Sequence, residues 1–166
     1  MIVRSMLALA AVVSLGAATA HAQVSADEYA SEYNFIVSND WRCATAQKFD
    51  EVEDGELNME QDFHFDPYTA TDPYAFTGTG SGVMNVDGVD YRGQSRFDGS
   101  GFNEARGVGV SITDLVMTQT DTLPDGWTWN DGGYMELILT QESDGTYSLK
   151  GYSTYNGTAV SYDCGG

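Results

Sequence analysis

From Trp41 onward apolar and polar residues alternate with a period of two, and short turns fall where the alternation breaks. That pattern restricts the chain to a sheet of consecutive hairpins. In the clearest stretch, Leu57, Met59, Phe63 and Phe65 share one face with Gln61 among them. Asn58, Glu60, Asp62, His64 and Asp66 share the other. Similar runs are read at 41–45, 74–86, 89–97, 102–119, 134–140, 146–155 and 158–163. Asp87-Gly88 and Asn156-Gly157 suit type I′ hairpin turns, whose two central residues both need φ > 0. Asp98-Gly99-Ser100-Gly101 and Ser143-Asp144-Gly145 read as further turns. Val108, Val110 and Ile112 hold one parity and Leu115 and Met117 the other, so a bulge is expected near Thr113-Asp114.

Seven or eight strands in such a series predict an all-β fold: a small up-and-down antiparallel β-barrel. Closure into a barrel protects the two edges that an open meander would expose. An open β-sandwich is the alternative. Ser25 with Glu28 three residues on has the form of a capping box, and Tyr29, Tyr33 and Ile36 follow at helical spacing, so a short N-terminal helix is expected. Tyr33, Phe35 and Val37 would also fit a strand. Cys43 and Cys164 are the only cysteines. In an oxidising compartment the pair predicts one disulfide between an early strand and the last.

Such a compartment is what the first 22 residues imply. Arg4, an apolar run over 6–15 and Ala20-His21-Ala22 have the form of a signal peptide with an A-x-A cleavage site. The apolar run is too short to span a bilayer, and the expected location is the periplasm or the extracellular medium. Residues 23–166 are the size of one domain. All 25 acidic residues lie there against six of the chain's seven basic ones, and the net charge of the whole sequence is −18. Nucleic acid and anionic lipid are repelled by that balance, whereas a basic protein would be attracted. Three Trp, ten Tyr and seven Phe are far too many for a disordered acidic tail. An integral outer-membrane barrel is disfavoured by the charges on the outward face of the 57–66 strand.

In meander, size and expected export the chain resembles in outline the calycins, the lipocalin and avidin class. The early G-x-W signature of lipocalins is missing, with Asn39 and Asp40 preceding Trp41. Gly78, Gly80 and Gly82 share one strand face and Thr77, Thr79 and Ser81 the other. The glycines read as sites of bending or close approach, and the Thr/Ser row as a surface on which an ordered ligand or a glycan could lie.

Nothing in the chain spells out catalysis. His64, the only histidine beyond the leader, stands among Asp62 and Asp66, and neither G-x-S-x-G nor H-E-x-x-H occurs. An enzyme is the least supported class. No cofactor is implied; weak Ca²⁺ binding is open to the acidic turn at Asp50, Glu51, Glu53, Asp54 and Glu56, to Asn130-Asp131 and to Asn85-Val86-Asp87-Gly88. Trp127 and Trp129, just before the Asn130-Asp131-Gly132-Gly133 turn, would stand at the mouth of a closed barrel with Tyr134 nearby. These three are the candidate ligand-binding residues. The sequence thus suggests an exported, non-catalytic binding protein holding a small apolar or carbohydrate ligand in or at the barrel mouth. The alternative is an interaction module or inhibitor presenting acidic loops to a basic partner.

Overall fold

The computed structural model describes residues 23–48, 56–68, 72–129, 131–155 and 158–166. The expected signal peptide over 1–22, most of the 50–56 acidic turn and Asn156-Gly157 lie outside the described residues. Eight antiparallel strands follow one helix and close in sequence order, the last pairing with the first. They are α1 (Ala26–Val37), β1 (Trp41–Lys48), β2 (Glu56–Tyr68), β3 (Ala75–Val86), β4 (Val89–Glu104), β5 (Gly107–Thr120), β6 (Gly133–Gln141), β7 (Tyr147–Tyr155) and β8 (Thr158–Gly165). The up-and-down barrel is therefore the fold, and the open sandwich is not. No helix among the described residues is long and apolar enough to cross a membrane.

Alternation places the core. Phe63 and Phe65 on β2, Phe76 on β3 and Phe97 on β4 are buried, as are Val108, Val110 and Ile112 on β5 and Met135 and Leu137 on β6. The ring of Phe97 meets those of Phe63, Phe65 and Phe76 edge-on, with centroids 5.6, 5.8 and 6.4 Å apart. That is the preferred geometry of packed aromatics. β5 changes parity between Ile112 and Leu115, where its pairing with β6 slips and Asp114 takes φ 50°. The bulge thus lies where the sequence put it. Asp87 and Gly88, at φ 52° and 81°, make the expected turn between β3 and β4.

One turn is elsewhere. Asp98-Gly99-Ser100-Gly101 continues β4 as strand, and the chain reverses after Glu104 instead. The two glycines serve packing: a side chain on Gly99 would strike the Phe76 ring, and one on Gly101 would strike Tyr33 and Tyr29 of α1.

α1 covers that end of the barrel. Its N-cap Ser25 accepts from Glu28 N–H at 3.3 Å, and Tyr33, Ile36 and Val37 are buried. Trp41 Nε1 donates to Ile36 O at 2.8 Å, and the Tyr33 hydroxyl donates to Ala75 O at 3.2 Å. Val24 and Asn103 exchange two hydrogen bonds that fix the chain leading into the helix.

Closure is the thinnest part of the wall. β1 and β8 pair through three residue couples among the described residues, Arg42 with Gly165, Cys43 with Cys164 and Ala44 with Asp163. The middle couple is the disulfide, spanning 121 residues of sequence. Loop-closure entropy for a span of that length gives roughly 4 to 5 kcal/mol. Replacing both cysteines by serine should therefore lower the unfolding free energy in water by about that amount, read from urea unfolding curves fitted with their own slopes. A shift under about 1 kcal/mol would mean that the seam holds without the bond.

Candidate functional site

Among the described residues the interior leaves little room. Between the main core and the small cluster of Met84, Val86 and Trp127, the wall carries Gly80, Gly82 and Gly93. The space among them is about 30 Å³, enough for a water molecule or two. Sites for small molecules usually need about 300–1,000 Å³. Phe97 and Phe63 on the neighbouring strands fill what Gly78 and Gly80 vacate, Gln61 lies against Gly82, and Trp129 closes the far end. A side chain on Gly93 would come within 2.9 Å of the Trp129 ring.

The three expected ligand residues separate into two places. Trp127 and Trp129 lie on the connection between β5 and β6, packed with Met84, Val86, Tyr91 and Leu123 as a plug opposite α1. Trp129 Nε1 donates to Asp121 O at 3.0 Å. Tyr134 is on the outer face of β6. Its hydroxyl donates to Glu136, which also accepts from the Tyr152 hydroxyl at 3.0 Å and from both terminal nitrogens of Arg106. Arg106 in turn covers the Phe102 ring at 4.5 Å. Glu136 therefore faces outward yet is buried, and the Arg106 guanidinium holds its carboxyl down at about 2. The cluster braces the outside of four strands, from β4 to β7.

A far larger concave feature lies outside the barrel. β3 has glycines inward and only Thr77, Thr79, Ser81 and Val83 outward, so its outer surface is low. β2 and β4 carry longer side chains on either side. Strand register sets these in rungs: Glu60–Val83–Arg92, Asp62–Ser81–Gln94, His64–Thr79–Arg96 and Asp66–Thr77–Asp98. The central depression measures about 820 Å³. Over the four rungs the two rims differ in charge, with three carboxylates and an imidazole on β2 and two guanidinium groups, an amide and one carboxylate on β4.

The β2 rim is tied down toward β1. Arg42 bonds Glu60 at 2.9 Å and lies 3.9 Å from Asp62, while His64 Nδ1 sits 2.6 Å from Asp40 and Nε2 3.5 Å from Asp66. Both ring nitrogens of His64 thus face carboxylates, not a nucleophile. Among the described residues, the side chains of Thr79, Ser81, Gln94 and Arg96 make no hydrogen bond or ion pair, and they stand open to a ligand. The sequence displayed the Thr/Ser row. It did not display the rims, because the register that aligns three strands cannot be read from alternation.

Asn85-Val86-Asp87-Gly88 is occupied by turn chemistry, with the Asn85 side chain accepting from Gly88 N–H and donating to Asp90. No group of three or more acidic, His or Cys residues is gathered for a metal among the described residues. The chain matches no known family model, no curated protein and no solved structure.

The bond to Asp40 is the main cause of a raised His64 pKa, with Asp66 adding to it. The shift favours folding while His64 is charged in both states. That contribution is complete below the ordinary value of 6.5 and disappears as pH rises through the raised one. NMR titration should place His64 above 6.5, and Asp40→Asn should bring it down. A wild-type value at or below 6.5 would contradict the pairing.

Proposed function

We propose that this chain is an exported, non-catalytic binding protein whose ligand is a carbohydrate held in the trough outside the barrel wall. The observation that carries the reading is the contrast between about 30 Å³ inside and about 820 Å³ on the outer face. The chemistry of the trough favours carbohydrate over an apolar ligand. Sugar hydroxyls donate one hydrogen bond and accept two, and the trough offers both kinds of partner within a single rung. On this reading Trp127 and Trp129 seal the barrel end, and Tyr134 belongs to the outer brace. A ligand at the mouth would have to displace the Trp129 ring from Gly93. The disulfide supports export to an oxidising periplasm or medium, in line with the signal-like first 22 residues.

The second reading, an acidic surface presented to a basic protein, is favoured by Asp121, Asp125 and Asp131, all exposed on the β5–β6 connection. Such an interaction would weaken steeply with salt.

Calorimetric titration with a panel of uncharged oligosaccharides tests the first reading. Gln94→Ala with Arg96→Ala should weaken the best binder by about tenfold or more, whereas Trp129→Phe should leave it within about twofold. Absence of any carbohydrate binding, or sensitivity to Trp129 alone, would contradict it.

A further inference from the structure

We infer that the trough takes an extended polysaccharide strand lying along β3, several sugar units at a time, and not a single sugar. This rests on the carbohydrate reading and goes further in naming the form of the ligand. Three depressions lie in a row on this face and share lining residues. The central one shares Thr79 and Arg96 with a depression of about 630 Å³ toward Asp66 and Asp98. It shares Arg42, Asp62, Ser81 and Gln94 with one of about 490 Å³ toward Glu60 and Arg92. The floor runs from Thr77 to Val83 on one straight strand, about 20 Å at the usual rise per residue. A lone hexose would engage one rung and leave the others to water.

The linear ligands that could fill such a trough differ in chemistry. An added peptide strand needs a free sheet edge, and β3 is paired along its whole length on both sides. Side-chain anchoring of a peptide needs apolar pockets, whereas the side chains exposed here are hydroxyl, amide and charged groups. A polyanion would meet Glu60, Asp62, Asp66 and Asp98 within a chain of net charge −18. An uncharged glycan meets neither obstacle. In the Asp62–Ser81–Gln94 rung a hydroxyl can donate to Asp62 and accept from Gln94 with the Ser81 hydroxyl beneath, and in the next rung a hydroxyl can accept from Arg96 and donate to the Thr79 hydroxyl.

The test is affinity electrophoresis of the oxidised protein through gels holding soluble neutral glucan, mannan, xylan or galactan. Calorimetry then follows with oligosaccharides of increasing length cut from whichever polymer retards it. Affinity should rise by about tenfold or more from the single sugar to a chain that fills the trough, then level off. Thr79→Trp, an exposed position in mid-floor, should abolish retardation, and Arg96→Ala should reduce it without changing the thermal midpoint. If the single sugar binds as tightly as the polymer, the extended-chain inference falls while the carbohydrate reading stands. If no polymer retards the protein and no oligosaccharide binds, both fall. Retardation by polylysine alone would give the trough to a basic peptide instead.

Discussion

The slenderness of β3 governs both sides of this barrel. Inward, Gly78 gives its space to the Phe97 ring of β4 and Gly80 to Ser95 of β4 and the Phe63 ring of β2, while Gly82 lets the β2 backbone and Gln61 approach. A side chain on Gly78 would strike Phe97, and one on Gly80 would come within 2.8 Å of Ser95 Oγ. Burial of those rings is a main part of the hydrophobic stabilisation and leaves almost no cavity. Outward, the same strand offers only short side chains, so the wall dips between the longer residues of β2 and β4. A filled inside and a furrowed outside are two results of one sequence, Thr-Gly-Thr-Gly-Ser-Gly.

That arrangement requires a closed wall. Among the described residues three couples join β8 to β1, the middle one disulfide-bonded, and α1 and the tryptophan plug cover the two ends. The pairing of β5 with β6 is also interrupted, by the bulge at Asp114. There Glu136, taking four hydrogen bonds from Arg106, Tyr134 and Tyr152, links the β4–β5 turn to β6 and β7 from outside. Breaking such a buried, charge-assisted cluster by removing one partner is far more costly than its net contribution, because the remaining charge is left without compensation.

Much of this was legible in the sequence. Period-two alternation gave the strands, Asp87-Gly88 gave a turn whose φ values only a short list of residues accepts, and the parity change gave the bulge. The cysteine pair was legible because two strands that meet must bring their residues together. What escaped notice depended on pairing between strands. Gly99 and Gly101 have the composition of a turn but serve as contact points for Phe76 and Tyr33, which come from other elements. Glu136 fits the outward parity of β6, and its burial follows from Arg106 arriving from the β4–β5 turn together with Tyr134 and Tyr152. The trough is of the same kind: His64, Thr79 and Arg96 are far apart in sequence and become neighbours through register alone.

The most direct measurement is to map the binding surface by backbone amide NMR on the ¹⁵N-labelled protein, adding an oligosaccharide that binds. Shifts should concentrate at residues 60–66, 77–83 and 92–98, with Gly93 moving only as part of its strand and Trp129 Nε1–H unmoved. Shifts centred on Trp127, Trp129 and the β5–β6 connection would contradict it, and would return the ligand to the barrel mouth.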